Sequence, residues 1–493
     1  MGPGSLRARA LEAMARETFD LLVIGGGIAG AAVAREAAVR GLTTALVERG
    51  DFAGATSGAT SRLIHGGLRY LKNGELRFVR RSIRAQAHLA RVAPRLVRPL
   101  PFLVPLYRDG PYRVGPMRAF MGIFRALHVG LGRLPYENLD AEECLGREPL
   151  LRANNLASGF AYLEHTTHDA RMVVETVLAA HERGAQVLNY VEATELLVSG
   201  GRAGGARVRD RMGGTVLDIR ARRVVNAVGP WVGTGAHAGR LRLSKGVHLV
   251  ISRDKAPLSH ALVLFSPRDR RAMFAIPFLR WVLVGTTDTE HEGGPEEAAV
   301  EPEDVEYILE ALDHTVPLGL AAADVADAWV AVRPLLSGGA IDPGLLTRDH
   351  AILTGDDGVV TVLGGKLTLH REVADDALAA AGVGRKGGAD PPLPGETWPV
   401  PRERLKQSLA ALVGDASAAH LTATYGGRAA DFVAALEADP VAREPLAPGL
   451  PYVRAELERA ARAEMAVEPE DFARRRSDFA VEALAAGLDP AVV

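Results

Sequence analysis

The sequence lacks most features of secreted, membrane-spanning and nucleic-acid-binding proteins. One cysteine among 493 residues, Cys144, excludes a disulfide framework within the chain and fits a reducing compartment. There is no run of about 18 uninterrupted apolar residues and no signal-peptide pattern, so we expect a cytoplasmic protein without a transmembrane helix. The formal net charge of −2 argues against nucleic acid as the main partner.

Lysine is scarce as well. Six of the 58 basic side chains are lysines, so a single arginine is weak evidence for a site and a lysine is stronger evidence. The length predicts two or three domains, and the apolar content of 47% is typical of a globular protein. We expect no metal, because His165 and His168 lack an acidic cluster at a known zinc spacing.

A glycine-rich turn near the N-terminus is typical of dinucleotide-binding folds. Residues 20–50 read as strand, tight turn, alanine-rich helix and second strand. Gly25, Gly27 and Gly30 give the spacing G-x-G-x-x-G at the turn. Glu48 follows the second strand, where a carboxylate accepts hydrogen bonds from the adenosine ribose. This combination predicts a bound dinucleotide but does not distinguish NAD from FAD.

The stretch after the second strand, ATSGATSRLIHGGLRYL, points to the cofactor. It resembles the D-amino-acid-oxidase-like flavoproteins and, more narrowly, the FAD-dependent glycerol-3-phosphate dehydrogenases, with Arg62 where the family pattern has lysine. The resemblance implies FAD. It continues in the family's order through VVNAVGPWV (224–232), LSKGVHLVI (243–251), FAIPF (274–278), LVGTTDTEHEG (283–293), AVRPLL (331–336), LTRDHAI (346–352) and VLGGKLTLHREVADDAL (362–378).

The resemblance implies an α/β fold, in which a Rossmann-like FAD-binding domain is interleaved with an antiparallel-sheet substrate domain and followed by an all-α C-terminal domain. The expected bounds are an N-terminal extension (1–19), an oxidoreductase unit (20–384) with an FAD part (about 20–95, 155–240 and 340–384) and a substrate part (about 96–154 and 241–339), a Pro/Gly-rich linker (385–402) and a helical domain (403–493).

The C-terminal part has its own landmark. Residues 463–483 resemble the helical domain that ends bacterial members of the family, with Ser477 where the usual pattern has threonine after an arginine pair. Alanine-rich segments of helical period at 452–466 and 470–486 predict a compact helical bundle.

Bare main chain and small hydroxyl side chains are the expected contacts of FAD. Hydroxyl groups can donate to phosphates, and adjacent glycines let the main chain lie against a flat ring. The segment VVTVLGGKLT predicts a strand, a glycine turn and a helix that begins at Lys366, whose N-terminus suits an anion. The expected cofactor-binding residues are Gly25, Gly27, Gly30, Glu48, Thr56, Ser57, Ser61, His65, Gly66, Gly67, Gly229, Gly364, Gly365, Lys366, Leu367 and Thr368.

Oxidation of a secondary alcohol beside a phosphate needs an anion clamp, a proton acceptor and a correctly placed flavin. Guanidinium groups match phosphate oxygens, and three arginines lie in the segments GGLRYL, VRPL and TRDH that resemble the family. A neutral histidine suits proton abstraction near neutral pH. The expected catalytic residues are Arg69, His248, Arg333 and Lys366. The expected substrate-binding residues are Arg69, Tyr70, His248, Asp288, Arg333, Arg348 and Lys366.

Each of these assignments has a structural alternative. The arginines could be solvated surface groups, Tyr70 could pack on the sheet, His248 could be a satisfied core histidine, and Asp288 could cap a turn. At residues 369–371 the chain reads Leu-His-Arg where the family commonly has Thr-Tyr-Arg, so the contact made by His370 departs from the pattern.

The resemblance implies oxidation of sn-glycerol 3-phosphate to dihydroxyacetone phosphate, with electrons passed through FAD to a quinone. The alternatives are an oxidase that uses O2, a dehydrogenase of another polyol phosphate, and a non-catalytic flavin sensor. Residues 113–133 predict a basic amphipathic helix, either at the inner face of the cytoplasmic membrane or as an arm over the substrate domain. The electron acceptor and a homodimer stay open.

Overall fold

The computed structural model of the chain describes residues 6–131, 136–233, 239–337, 348–384 and 390–492. Its strands are β1 (Thr18–Phe19), β2 (Leu21–Ile24), β3 (Thr44–Val47), β4 (Leu63–Ile64), β5 (Arg98–Tyr107), β6 (Tyr136–Leu139), β7 (Leu156–Thr166), β8 (Gln186–Leu188), β9 (Val191–Ser199), β10 (Arg202–Asp210), β11 (Val216–Ala221), β12 (Val224–Asn226), β13 (Leu241–Ser252), β14 (Ala261–Phe265), β15 (Ala272–Phe278), β16 (Trp281–Gly285), β17 (Thr289–His291), β18 (Val325–Leu336), β19 (His350–Thr354) and β20 (Val360–Gly364).

The helices are α1 (Leu6–Arg16), α2 (Ile28–Val39), α3 (Leu76–Val92), α4 (Val114–Ala126), α5 (Ala141–Arg147), α6 (Asp169–His181), α7 (Pro302–Thr315), α8 (His370–Ala380), α9 (Arg402–Tyr425), α10 (Ala430–Ala438), α11 (Ala455–Ala463) and α12 (Phe479–Ala485).

A six-stranded sheet in the order β19-β20-β12-β2-β3-β8 is the first layer, and its strands from β20 to β8 are parallel. The short apolar run of β2 is buried on both faces. Leu21 and Val23 pack with α2, α6 and α8, whereas Leu22 packs on the opposite side against a four-stranded sheet, β1-β11-β10-β9. A strand covered on both faces needs continuous apolar residues, which explains the sequence.

The first residues of the chain belong to this layer. Helix α1 packs against β8 and β11 through Met14, and β1 pairs with β11. The Arg7 guanidinium donates to the Asn189 carbonyl at 2.6 Å and pairs with Asp210. From residue 6 onward, the segment expected to be an N-terminal extension is therefore packed.

A larger, mostly antiparallel sheet forms the second layer, with the strand order β17-β13-β16-β15-β14-β5-β7-β4, β18 paired with β13, and β6 with β7. Strand β7, which the sequence analysis assigned to the FAD part, pairs with β5 over nearly its whole length. Helix α7 covers one face through Ile308 and Leu312. The three sheets and the helices confirm the expected α/β class.

Helix α4 accounts for the predicted amphipathic segment, of which residues 132–133 lie outside the described residues. Met117, Met121 and Phe124 are buried in the core of the large sheet, as a covering arm would require. Its other face leaves Ile123 exposed to 49%. Within the described residues, no helix is both long and apolar enough to cross a membrane.

The C-terminal part is helical, as expected, but its last predicted helix is interrupted. Instead of one helix over 470–486, the chain forms a π-helical turn at Asp471–Arg476, leaves helical geometry at Ser477, and starts α12 at Phe479. The break directs Arg476 and Asp478 toward the loop between β3 and β4.

Buried ion pairs attach the helical part to the rest of the protein. Arg476 is fully buried and makes two hydrogen bonds to Asp51, at 2.6 and 2.8 Å. Asp478 accepts a hydrogen bond of 2.5 Å from Arg62. A paired charge in the interior is costly to separate, because removing one partner leaves the other in a medium that solvates it poorly. These contacts fix the loop after β3 against the helices.

The Pro/Gly-rich connection is also packed where it is described. Residues 385–389 of the expected linker lie outside the described residues. Asp390 accepts hydrogen bonds of 2.7 Å from both Arg35 and His88, and Leu393 is buried. The chain between residue 390 and α9 is therefore held to α2 and α3.

We expect Arg476→Met to destabilise the protein. The substitution leaves the buried carboxylate of Asp51 with Arg475 as its remaining charged partner, and breaking such a pair costs about 3 kcal/mol. Urea unfolding followed by circular dichroism measures the change. Arg268→Met, which removes exposed ion pairs only, is the matched control and should leave the midpoint unchanged. Equal midpoints in the two variants would contradict the role given to Arg476.

Candidate active site

The glycine-rich turn between β2 and α2 is packed as tightly as the sequence analysis expected. A Cβ atom on Gly25 would lie 2.5 Å from the carbonyl oxygen of Ala227, and one on Gly30 would lie 1.9 Å from the carbonyl oxygen of Gly25. Both distances are far shorter than a van der Waals contact. The two glycines therefore let α2 approach the strand closely, with its N-terminus at the end of the sheet.

Polar groups converge on the N-terminus of α2. Gly27 is the N-cap residue, and the N–H of Ile28 donates to Ser57 Oγ at 3.0 Å. The carboxylate of Glu48, at the end of β3, accepts hydrogen bonds from the N–H groups of Gly26 at 2.6 Å and Gly50 at 2.8 Å. Burial raises the pKa of Glu48, and these two hydrogen bonds oppose that shift.

The other two predicted phosphate-binding hydroxyls already have protein partners. Thr56 Oγ1 donates to the carbonyl oxygen of Val332 at 2.6 Å, and Ser61 Oγ lies 2.8 Å from His248 Nε2. These contacts join the loop after β3 to strands β18 and β13 of the large sheet. The phosphate contacts of Thr56 and Ser61 stay predictions, and Ser57 is the one bonded to α2.

Residues 65–67, His-Gly-Gly, form the HGG turn. The structure gives a reason for its two glycines that the sequence analysis did not foresee. Both glycines are buried, and a Cβ on Gly66 would lie 2.9 Å from Ile83 and 3.0 Å from Phe124. A Cβ on Gly67 would lie 2.6 Å from the ring of Tyr70. Close packing inside the protein therefore requires these glycines, and the contact of the bare main chain with a flavin stays a prediction.

The turn after β20 differs from the predicted helix start. Gly364 and Gly365 lead into a single 3-10 turn at Leu367–Leu369, and α8 starts only at His370. The side-chain hydroxyl of Thr368 is buried and has no hydrogen-bond partner. The prediction of one helix from Lys366 is therefore wrong in its first turn, because the glycine turn tightens the backbone before α8.

Lys366 is tied to the HGG turn. Its Nζ donates to the carbonyl oxygen of His65 at 2.7 Å and lies 5.5 Å from the ring centroid of Tyr70. Burial lowers the pKa of Lys366 to about 8, against the opposing effects of Tyr70 and Glu164. The lysine is therefore a cation that gives up its proton more easily than an exposed one.

Asp288 is the anionic partner of two predicted clamp residues. Arg348 Nη2 donates to it at 2.6 Å, Arg333 Nη1 lies 3.5 Å from its other oxygen, and Ser244 donates to it as well. Burial opposes ionisation of Asp288, but Arg348 and then Arg333 outweigh it, so the pKa of Asp288 is lowered. Asp288 is therefore an ion-pair partner of Arg348 and Arg333, and its part in a substrate site stays a prediction.

Arg333 reaches this position because of the strand register. Residue 244 of β13 pairs with residue 333 of β18, and the guanidinium donates to Thr286 Oγ1 at 2.7 Å and to the Thr287 carbonyl at 3.2 Å. Burial lowers the pKa of Arg333 to about 10, and the nearby Arg348 and Arg69 lower it further while Asp288 opposes the shift. Arg333 is thus a half-buried cation with two other cations, Arg348 and Arg69, nearby.

Arg69 and Tyr70 complete the group. The Arg69 guanidinium lies 5.0 Å from the Tyr70 ring centroid. Burial opposes ionisation of Tyr70, but Arg69, Lys366 and Arg348 outweigh it and lower the pKa of Tyr70. Two nitrogens of Arg348, Nε and Nη1, are buried and have no hydrogen-bond partner among the residues that the structure describes.

These side chains form a cluster with more positive than negative charge. Four cations lie around Tyr70, and the carboxylate of Asp288 is beside three of them; the cations are Arg69, Arg333, Arg348 and Lys366. Buried donors normally have partners, and buried like charges repel one another unless an anion lies between them. The arrangement therefore suits a ligand with several negatively charged oxygens, such as a phosphate dianion.

His248 lies beside this cluster, on β13. Its Nε2 is at hydrogen-bond distance from Ser61, and its ring centroid lies 6.0 Å from that of Trp329. Its Nδ1 is buried and has no hydrogen-bond partner in the described part of the chain. Burial, followed by Arg333 and Arg62, lowers the pKa of His248 to about 3. The imidazole is therefore neutral near pH 7, with an unused nitrogen.

The remaining predicted positions have ordinary structural surroundings. Gly229 begins a 3-10 turn after β12. His168 caps α6, with its Nδ1 accepting a hydrogen bond from the N–H of Arg171 at 3.1 Å. His370 donates to the carbonyl oxygen of Leu367 at 2.8 Å, and burial lowers the pKa of His370 to about 4. No group of three metal-ligating side chains occurs among the residues that the structure describes.

Several residues near the site were missed by the sequence analysis. Ser244 and Thr286 hold Asp288 and Arg333, and Gln86 and Glu164 contact the HGG turn. Ser244 was visible as a neighbour of His248 in the segment LSKGVHLVI. Glu164 and Gln86 had no comparable signal, because they lie outside the segments that resemble the family.

The residues around α2 fit FAD by their own geometry. A helix N-terminus with a bonded serine suits a pyrophosphate, and the carboxylate of Glu48 beside the same turn suits a ribose. The loop after β3 contacts both β13 and β18, and the cation cluster and His248 lie at this junction. An alcohol bound there would therefore lie next to the end of the six-stranded sheet at which FAD would bind.

Comparison with known proteins agrees with this geometry. A family model described as FAD dependent oxidoreductase matches residues 20–371, and a model of the C-terminal domain of alpha-glycerophosphate oxidase matches residues 388–492. The aerobic glycerol-3-phosphate dehydrogenase of Bacillus subtilis (strain 168) is 33% identical, over 96% of this chain and 89% of its own length. That of Staphylococcus haemolyticus is 35% identical, over 73% of this chain and 66% of its own length.

Solved structures show the same relationship. The X-ray structure of the glycerol-3-phosphate dehydrogenase from Bacillus halodurans complexed with FAD superposes with a TM-score of 0.78 at 31% identity, covering 97% of this chain and 89% of that one. The L-alpha-glycerophosphate oxidase of Mycoplasma pneumoniae, with FAD bound, shares the fold at a TM-score of 0.59 and 17% identity, covering 76% of this chain and 98% of that one. The chain therefore belongs to the FAD dependent oxidoreductase family, and within it to the aerobic glycerol-3-phosphate dehydrogenases.

Proposed function

We propose that the protein oxidises sn-glycerol 3-phosphate to dihydroxyacetone phosphate and passes the electrons to a quinone. FAD is its cofactor, and when bound it accepts the two electrons of the alcohol as a hydride. The observation that carries the proposal is the partly buried cluster of four cations around Tyr70 and Asp288, which suits a phosphate dianion and which a sensor without a phosphorylated ligand would not need. The names of the B. subtilis and B. halodurans relatives support the choice of alcohol.

The cations bind and orient the substrate in this proposal. Arg333, on β18 of the large sheet, and Arg348, just before β19 of the six-stranded sheet, are held by Asp288 and bind the phosphate oxygens. Arg69 and Lys366 bind them from the HGG turn and the turn after β20. Contacts from two layers leave the alcohol one orientation, which reduces the entropic barrier to reaction.

His248 takes the hydroxyl proton in this proposal. Because the imidazole is neutral, it has a lone pair available, and Ser61 fixes the ring. The low pKa of His248 makes it a weak base in the absence of a ligand. A bound phosphate would offset the repulsion from Arg333, which is one cause of the low pKa, and so raise the basicity when the alcohol is present.

A quinone acceptor would bring the protein to the inner face of the cytoplasmic membrane. The outer face of α4 supports this part of the proposal, because Ile123 is exposed between the exposed Arg118 and Arg125. Apolar groups flanked by arginines suit an anionic lipid surface.

Reduction of the flavin in the absence of oxygen tests the proposal. Addition of glycerol 3-phosphate to the purified yellow protein should bleach the flavin absorbance, and glycerol should not, because it lacks the phosphate. Re-oxidation should be fast with a soluble quinone analogue and slow with air. Fast re-oxidation by air with stoichiometric peroxide would instead favour an oxidase. Absence of bleaching with any polyol phosphate would refute the dehydrogenase.

Arg333→Ala should raise the KM for glycerol 3-phosphate strongly, by about tenfold or more, while FAD stays bound. The guanidinium contributes a charged contact to the phosphate from β18, whereas the groups expected to hold FAD at the start of α2 are Gly27, Ser57 and Glu48. Steady-state kinetics and the flavin absorbance measure the two effects. Arg268→Ala, at the surface of the same layer, is the control. An unchanged KM would remove Arg333 from the clamp.

The kcat/KM for glycerol 3-phosphate should fall as the pH rises through about 8. Below that pH Lys366 is protonated and attracts the phosphate, and above it the lysine is neutral and the attraction is lost. In Lys366→Arg the side chain stays charged to pH values above about 12, so this fall should disappear. A fall that persists in the variant would assign it to ionisation of Tyr70 instead.

A further inference from the structure

Glu164 is a buried carboxyl group that the proposed reaction does not use. It lies on β7, next to the position where β7 pairs with β4, and it is 3% exposed. An acidic side chain is rarely buried to this extent without a specific partner, because burial disfavours its charged form.

Two hydrogen bonds connect Glu164 to the HGG turn and to helix α3. Its Oε2 accepts from the N–H of Gly66 at 3.1 Å and from Gln86 Nε2 at 2.5 Å. Gln86, itself buried, also donates to the carbonyl oxygen of Ile64 at 3.0 Å. The pair Glu164–Gln86 therefore binds the main chain on both sides of His65.

The same turn carries part of the cation cluster. The carbonyl oxygen of His65 accepts from Lys366 at 2.7 Å, and the N–H of Gly67 donates to His65 Nδ1 at 3.1 Å. The N–H of Tyr70 donates to the carbonyl oxygen of Gly67 at 2.9 Å, so Arg69 and Tyr70 follow directly from the turn. Any rotation of the Gly66 peptide would move the attachment point of Lys366 and the start of the Arg69–Tyr70 segment.

Packing alone does not fix this peptide. Gly66 and Gly67 have no side chains to hold the turn, and residues without a Cβ adopt a wide range of backbone angles. The atoms nearest to an added Cβ on Gly66 are the apolar carbons of Ile83 and Phe124, which cannot accept a hydrogen bond. The carboxyl group of Glu164 supplies an acceptor for the N–H of Gly66.

We propose that Glu164 is a positioning residue for the phosphate-binding cluster: by accepting the Gly66 N–H while held by Gln86, it fixes the HGG turn that places Arg69, Tyr70 and Lys366. This inference rests on the proposed function, because it concerns the same anion site.

The chemistry of Glu164 provides a matched pair of variants. Burial raises the pKa of Glu164 to about 7, while the Gly66 N–H, Gln86 and Lys366 oppose that shift. The neutral acid and the carboxylate can both accept the two hydrogen bonds. Glu164→Gln keeps an acceptor oxygen at similar volume, whereas Glu164→Leu removes it, and both variants are uncharged. Any difference between them therefore reports the hydrogen bond and not the charge.

The test uses the FAD-loaded protein and two measurements. Inorganic phosphate binding is measured by calorimetry, and the KM and kcat for glycerol 3-phosphate are measured by anaerobic dye reduction. Compared with Glu164→Gln, Glu164→Leu should bind phosphate about tenfold more weakly and show a KM raised by a similar factor, because a buried peptide N–H left unpaired destabilises the turn. The change in kcat should be smaller than the change in KM.

A second variant tests the same hydrogen-bonded pair without changing Glu164. Gln86→Leu leaves Glu164 in place but removes the donor that holds it, so it should weaken phosphate binding in the same direction by a smaller factor. Equal phosphate affinity in the wild-type protein and both Glu164 variants would overturn the inference, whichever substrate bleaches the flavin. Retained phosphate binding without bleaching by glycerol 3-phosphate would refute the proposed function alone.

Discussion

Repulsion among buried positive charges is the constraint on which the site depends. Arg69, Arg333, Arg348 and Lys366 are brought together near the carboxylate of Asp288 and the ring of Tyr70, and burial, followed by the neighbouring arginines, lowers the pKa values of Arg333 and Lys366. Positive charges held close together favour the binding of an anion between them. The sheets and the turns between them hold the four cations in place against this repulsion, so that an anion can bind among them.

Buried ion pairs connect that site to the C-terminal helices. Asp51 and Arg62 lie at the two ends of the loop that contains Thr56, Ser57 and Ser61, and they pair with Arg476 and Asp478. The helical part therefore acts on the loop that meets both the N-terminus of α2 and His248. This gives a physical reason for a C-terminal domain in an enzyme whose chemistry lies elsewhere: it immobilises a loop that small residues alone would leave mobile.

Much of the site was predictable because its residues lie in short segments with a strong local pattern. The strand–turn–helix around Gly25 and the position of Glu48 follow from spacing alone, and Arg69, Arg333 and Lys366 stand in segments that resemble the family. Two of the expected helices differ from the structure. The helix expected over 470–486 is broken because Arg476 and Asp478 bond to distant partners, and the helix expected from Lys366 begins with a 3-10 turn because of the glycines before it.

The sequence by itself determined the class of fold, the family and the kinds of side chain that a phosphorylated substrate requires, since periodicity and motif spacing are local properties of the chain. Only the tertiary structure decided which of these side chains lie close together, and which residues without a sequence signal hold them in place. Gly66 and Glu164 are 98 positions apart, and Asp51 and Arg476 are 425 apart. A contact between such positions leaves no local periodicity, because it arises from strand register and from the packing of separate layers.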